Sequence, residues 1–248
     1  MLELLAADLP APAGGAFSTR SGGVSAAPYD ALNLGLHVED EGRRVQANRS
    51  LLAEAAGLPE QDLVFAQQVH GAEVAVVDRS SRGRDGAIAA VDALVTREPG
   101  LGLVVLAADC LPVLLADPEA GVVGAVHAGR QGLAAGVVQA ALAAMQGLGA
   151  RPERTAAVLG PAACGGCYEV PPELAAQVEA AVPGSRSTTR AGTPSVDLTA
   201  GATAVLRSAG VTDVRAVGGC TLEQPDRFFS YRRDARTGRH AGLAWLAP

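Results

Sequence analysis

Between Leu63 and His127 the chain falls into short apolar, β-branched runs, and this spacing restricts the fold more than any other feature of the sequence. The runs are Leu63 to Val69, Glu73 to Val77, Ala93 to Thr96, Gly102 to Ala107, Val113 to Ala116 and Val122 to His127. Each is closed off by nearby Gly, Pro or Asp and is too short for a stable helix, so each reads as a strand. Helical spacing appears elsewhere. From Asp40 to Ala56, apolar Val45, Leu51, Leu52 and Ala55 recur on one face, and Gly57 and Pro59 end the run. Gly132 to Met145, Glu173 to Val182 and Leu198 to Ala209 also read as helices, while Thr155 to Leu159 and Val214 to Gly218 return to strand. Strands and hairpins interspersed with helices predict a mixed α/β (α+β) fold with sheet in the middle and helices outside. No repeat or long linker divides the chain, so one domain spanning residues 1–248 is expected, with an exposed loop from Arg79 to Gly86.

All 20 basic residues are arginine. Without lysine there is no amine for a pyridoxal Schiff base, a lysine imine or a P-loop nucleotide site. A net charge of −6 argues against nucleic acid, whose affinity comes largely from basic surface. The most apolar run, Leu101 to Ala108, ends at Asp109, so no membrane span is expected. Met1 to Leu9 carries acids where a secretory leader has a basic start, which predicts a cytoplasmic protein. Four cysteines are too few for a disulfide scaffold in a chain of 248 residues.

The segment from Ala108 to His127 reads as a hairpin with its turn at Pro118 to Gly121. A two-residue turn places Cys110 opposite His127; a four-residue turn leaves them diagonal neighbours on the same face; a three-residue turn separates them. In two of these registers a thiol and an imidazole converge, which suits either a shared metal or a Cys–His nucleophile pair. Pro112 would require a bulge or an edge position. His70 follows a strand directly and is a third candidate, whereas His37 and His240 read as surface residues. Cys164-Gly165-Gly166-Cys167 has metal or redox spacing, but with only one such pair no second ion is expected there. Arg232, Arg233, Arg236 and Arg239 form a basic C-terminal patch able to attract phosphate or to remain a solvated face, and Phe229 and Tyr231 are expected to pack.

Longer motifs carry a resemblance. Phe17-Ser18-Thr19-Arg20-Ser21-Gly22-Gly23-Val24-Ser25, Asn33-Leu34, Gln68-Val69-His70-Gly71, Asp92-Ala93-Leu94-Val95-Thr96, Ala108-Asp109-Cys110-Leu111-Pro112, His127-Ala128-Gly129, Tyr168-Glu169-Val170 and Phe229-Ser230-Tyr231-Arg232-Arg233-Asp234 resemble the YfiH, or laccase-domain, family across nearly the whole chain. The resemblance implies central mixed β-sheet layers flanked by helices, similar to the catalytic domain of cytotoxic necrotizing factor. It also implies a zinc site made of His70, Cys110 and His127, which are the expected catalytic residues as well. Members bear three labels: polyphenol oxidase, purine nucleoside phosphorylase with adenosine deaminase activity, and peptidoglycan editing factor.

A multicopper oxidase needs a largely imidazole-ligated trinuclear cluster plus a further copper, and this chain has four histidines altogether. One His2Cys set with an open position fits a catalytic zinc, although copper accepts the same ligands. Together with the resemblance, this implies a zinc-dependent purine nucleoside phosphorylase that also deaminates adenosine; a monomer or weak homodimer taking nucleoside and phosphate is expected. A Cys110–His127 amidohydrolase acting on peptidoglycan precursors, or a copper-dependent polyphenol oxidase, is the alternative, and a non-catalytic zinc staple is a third reading. Arg20, Asn33, Asp109 and Arg130 are the expected substrate-binding residues. Where relatives have Trp-Arg-Gly after His-Ala-Gly, this chain has Arg130-Gln131-Gly132, which removes an aromatic face and moves the arginine one position early. The amides that open the following helix are candidates to hold an anion.

Overall fold

The computed structural model describes residues 2–81 and 86–248. Of the expected Arg79 to Gly86 loop, residues 82–85 therefore lie outside the described part. In chain order the elements are β1 (Leu4–Ala6), β2 (Ala13–Ser18), α1 (Gly42–Ala56), β3 (Leu63–Gln67), β4 (Val74–Val76), β5 (Ala87–Ala89) and β6 (Ala93–Thr96). β7 (Gly102–Ala107), β8 (Leu111–Asp117) and β9 (Val122–Ala128) follow, then α2 (Arg130–Ala135), α3 (Val137–Gly147), β10 (Ala156–Leu159) and α4 (Pro172–Ala181). The chain closes with β11 (Arg186–Thr188), β12 (Pro194–Val196), α5 (Leu198–Ser208), β13 (Asp213–Ala216), α6 (Tyr231–Asp234) and β14 (His240–Leu246).

Among the described residues two six-stranded mixed sheets form, ordered β1-β2-β14-β7-β3-β5 and β13-β10-β8-β9-β6-β4. They pack face to face with helices outside both, giving a mixed α+β architecture. Alternation along single strands fixes the layers. Leu103 and Val105 of β7 meet Leu114 and Ala116 of β8 and Ala125 of β9 in the core between the sheets. Val104 and Leu106 point the other way, against Leu52 and Ala53 of α1. Val113, Leu115 and Val126 face Val138, Leu142 and Met145 of α3. Strands covered on both faces need apolar residues at every position, which is why β7, β8 and β9 are buried throughout and read as unbroken apolar runs.

The expected strands and helices are present with boundaries moved by one or two residues, with two exceptions of substance. The expected helix from Gly132 to Met145 is two helices, because Gly136 takes a left-handed conformation (φ 91°) that ends α2 and starts α3. Pro112 lies inside β8, a central strand rather than an edge. Its carbonyl accepts from Gly160 just beyond the end of β10, so its missing N–H faces a position that no strand residue occupies. β2, with the sequence Ala13-Gly14-Gly15-Ala16-Phe17-Ser18, carries no β-branched apolar run of the expected kind. Gly14 in β2 leaves room for the Trp245 ring, which an added Cβ would meet at 2.3 Å.

Candidate functional site

The β8–β9 hairpin adopts the four-residue turn. Asp117 pairs with Val122, Pro112 with His127 and Leu111 with Ala128, so Cys110 lies diagonal to His127 beyond the end of the ladder. Both side chains have the parity of Leu114 and Ala125 and therefore point toward the opposite sheet. From that sheet comes His70, three residues past β3. Its Nε2 lies 3.7 Å from Cys110 Sγ, and its ring stands edge-on to His127 with centroids 4.8 Å apart. One ligand atom from each of His70, Cys110 and His127 falls within 4.8 Å of the others.

Asp92, fully buried just before β6, organises this cluster. Its Oδ1 accepts from His127 Nδ1 at 2.8 Å and from the His70 amide at 2.9 Å. Its Oδ2 accepts from the Val69 and Gly71 amides at 3.1 and 2.7 Å. One carboxylate thus holds His70 in a left-handed backbone conformation (φ 59°) and leaves the other nitrogen of His127 for the cluster. Gln68 anchors the same loop from behind, its side-chain amide exchanging 2.7 Å bonds with the Leu106 backbone. Gly129 is a steric requirement: a Cβ there would lie 2.9 Å from His70 Cδ2 and 3.1 Å from Cys110 Sγ.

Burial opposes ionisation of Cys110, but the charges and hydrogen bonds of His127 and His70 outweigh it and bring the thiol down to about 6. Burial likewise opposes charging of His127, yet Cys110 and Asp92 carry it up to about 9. These opposite shifts together favour a thiolate beside an imidazolium. A tetrahedral zinc with S and N ligands at 2.3 and 2.0 Å places those atoms about 3.5 Å apart, close to the Cys110–His70 separation, so the donor set fits a single ion.

The cluster lies at the bottom of a cavity of about 700 Å³. His37, Gln68, Asp109, Arg130, Gln131, Tyr168, Tyr231, Arg232 and Arg239 line its walls. Two of the expected substrate residues are therefore in place. Arg130 opens α2, its side chain makes no hydrogen bond or ion pair with any described residue, and Gln131 lines the cavity beside it. Asp109 is committed on both oxygens, to Thr221 Oγ1 at 2.6 Å and to the Arg232 amide at 2.7 Å. The other two have different work. Arg20 binds the Asp30 and Pro225 carbonyls, pairs with Asp30 and stacks on Phe229. Asn33 is fully buried, its amide tied to Asp40, Gly35 and the Arg239 backbone, so it shapes its own turn instead of reaching the cavity.

Other residues stand where the sequence pattern does not put them. Tyr231 does not pack in the core: it is 58% exposed at the cavity. His240 is no surface residue but is completely buried in β14. His37 is exposed, as the sequence implies, and lines the cavity, where partial desolvation together with Arg239 and Arg49 lowers its pKa and leaves the ring neutral at neutral pH. Part of the C-terminal basic patch is cavity wall, with Arg232 stacked 4.6 Å from the Tyr168 ring centroid. The visible signal was the Ser230-Tyr231-Arg232-Arg233-Asp234 motif. Cys164 and Cys167 do not stand alone either, since Cys220 and Glu223 come to meet them.

A His2Cys cluster thus shares a cavity with Arg130, Arg232 and Arg239, an arrangement of the kind found in enzyme active sites. The chain belongs to the family described as multi-copper polyphenol oxidoreductase laccase, whose profile matches residues 15–247. It is 57% identical over 231 residues, 93% of each chain, to a Streptomyces griseus protein named purine nucleoside phosphorylase ORF3. A Deinococcus radiodurans protein named purine nucleoside phosphorylase is 46% identical, covering 90% of this chain and 85% of its own. Among solved structures, YlmD from Geobacillus stearothermophilus superposes with a TM-score of 0.90 at 33% identity, covering 96% of this chain and 93% of the other. Neisseria meningitidis NMB0706 does so with a TM-score of 0.87 at 36% identity and 99% coverage of both.

Proposed function

We propose that this protein is a zinc-dependent purine nucleoside phosphorylase that also deaminates adenosine, acting on adenosine, inosine and methylthioadenosine-type nucleosides. The observation that carries the reading is the convergence of His70, Cys110 and His127 at the base of a cavity rimmed by Arg130, Arg232 and Arg239. The names of the relatives support the same activity. His70, Cys110 and His127 would hold the zinc, which when bound supplies a Lewis acid and lowers the pKa of a coordinated water toward ~7.

The chain's own groups do the rest. Arg130, with its guanidinium uncommitted, grips inorganic phosphate. Phosphorolysis breaks the bond from C1′ to the base and forms a bond from C1′ to a phosphate oxygen. Tyr168, stiffened by Arg232, offers a face to the purine. Neutral His37 is positioned on the same wall to hydrogen-bond the nucleoside. Asp109, held by Thr221 and Arg232, is an oriented hydrogen-bond acceptor beside Cys110. Copper is compatible with the same ligands.

The test is phosphate-dependent release of hypoxanthine from inosine by zinc-replete protein, and of ammonia from adenosine, with both lost in Cys110→Ala. Absence of hypoxanthine under metal-replete conditions removes the phosphorylase, and absence of ammonia removes the deaminase. The thiolate–imidazolium character of Cys110 and His127 favours one other reading, a cysteine amidohydrolase editing peptidoglycan precursors. An acyl-enzyme trapped on Cys110 in metal-free protein would establish it. Among the described residues no helix is long and apolar enough to cross a membrane. We place the protein in the cytoplasm as a monomer or weak homodimer, with nucleoside and phosphate as partners and neither nucleic acid nor membrane.

A further inference from the structure

We infer that Cys164, Cys167, Cys220 and Glu223 form a second metal site, a closed Cys3Glu centre for a zinc-type divalent ion that braces the back of the cavity wall. Ligand atoms of these four residues all lie within 4.8 Å of one another, and none belongs to the cluster at the cavity floor. Four ligands around one zinc, with Zn–S about 2.3 Å, set sulfur–sulfur edges of roughly 3.8 Å, so a single ion reaches all of them after small side-chain rotations. Three thiolates and one carboxylate complete a tetrahedron with no position left for substrate, which marks a structural centre.

The backbone already holds the donors in place. Between β10 and α4, Cys164-Gly165-Gly166-Cys167 is a tight turn, with the Cys167 and Tyr168 amides both bonded to the Cys164 carbonyl at 2.9 Å. Gly165 has to be glycine, because a Cβ would lie 2.7 Å from Ser187 Oγ and 2.8 Å from Asp197 Oδ2. Cys220 comes from the loop after β13, and a parallel bridge between Ala162 and Cys220 clips the two loops together. The Cys164 amide points at Cys220 Sγ from 3.5 Å. Cys167 Sγ donates to Glu223 Oε1 at 3.2 Å, and Arg190 contacts both Cys167 and Glu223. The carboxylate has two oxygens, so one can ligate while the other keeps Arg190, whose charge offsets part of the negative centre.

Binding converts three thiols, one carboxylate and a divalent ion into a dianionic centre and three released protons, and no redox partner is required. The site connects to the cavity through neighbours in sequence. Cys167 precedes Tyr168, and Cys220 precedes Thr221, whose hydroxyl holds Asp109.

The experiment is metal stoichiometry on the full-length protein, reduced, stripped with chelator, reloaded with Zn²⁺ and desalted. Wild type should carry about two ions per chain, Cys110→Ala about one, Cys164→Ser about one, and the double variant none above background. Loaded with Co²⁺, Cys110→Ala should show strong thiolate-to-cobalt charge transfer that the double variant lacks. Should the serine variant fold poorly, Glu223→Gln keeps all three thiols and should weaken ion retention by about tenfold or more. The inference is overturned if Cys110→Ala retains no zinc after reloading, or if removing Cys164 or Glu223 leaves its zinc content and cobalt spectrum unchanged. It is equally overturned if thiol titration of unreduced protein finds a disulfide among these cysteines and the reduced form takes up no ion there.

Discussion

Replacing Asp92 with Asn tests whether one buried carboxylate holds the site together. Asp92 is completely buried and accepts four hydrogen bonds, two on each oxygen. An amide has the same shape but a single acceptor oxygen. If that oxygen faces His127 Nδ1 and the His70 amide, the new NH2 group opposes the Val69 and Gly71 amides; turned over, it opposes His127 and His70. Either way two donors lose their acceptor, at about 1–3 kcal/mol each, so we expect a loss of about 2–4 kcal/mol after local relaxation. For a chain of this size that corresponds to a drop of roughly 5–15 °C in melting temperature. The metal ligands lose their orientation as well, which should weaken ion binding by about 10–100-fold. Scanning calorimetry in chelator measures the first quantity, and competition with a chromophoric zinc indicator measures the second. A variant that melts within a degree of the parent and binds zinc equally well would falsify the organising role assigned to Asp92.

Gly129→Ala should sharply reduce ion binding at His70, Cys110 and His127 while leaving the chelator-treated melting temperature near the parent's. Gly129 has an ordinary negative φ of −71°, so the added methyl acts only by contact with His70 and Cys110. Burial brings His240 down to about 4, so the folded protein leaves it neutral while the unfolded chain protonates near 6.5. The unfolded state then binds more protons, and stability should fall by about 3 kcal/mol between pH 6.5 and 4, a slope that urea titrations should find flattened in His240→Leu. Asp117 is fully buried and lowered in pKa, with burial opposed by the Ala120 and Arg151 amides and by Arg154. Its contribution is complete above the unfolded carboxylate value near 3.9 and is lost as pH falls through the lower folded value. Asp117→Ala should therefore destabilise by about 3 kcal/mol at pH 7, with the gap to the parent narrowing in acid-range denaturant titrations.

The centre of the fold was legible in the sequence because β7, β8 and β9 are buried on both faces and leave continuous apolar runs with turn residues between them. The pairing of Cys110 with His127 followed from parity alone, since an even-numbered turn keeps them on one face; the choice between two and four residues required the structure. His70 was found as a strand-end residue, but nothing in its neighbourhood announces that Asp92 reaches across to hold it. The strand built near the N-terminus was harder to read. β2 is built from Ala13-Gly14-Gly15-Ala16, whose glycines give no strand signal and make sense only against Trp245 and Leu9. Arg20 and Asn33 sit in motifs as conspicuous as those of His70, Cys110 and His127, yet their polar atoms are used within the fold. Motif membership does not separate residues that shape a loop from those that face a ligand. The meeting of Cys220 with Cys164 depends on a bridge between loops 56 residues apart, which no local pattern encodes.

The three residues at the cavity floor come from both sheets: His70 from the one containing β3, Cys110 and His127 from the one containing β8 and β9. Neither sheet alone brings these three side chains together, so the His2Cys cluster is complete only once the two sheets have docked. An ion bound there would tie one sheet to the other and slow their separation.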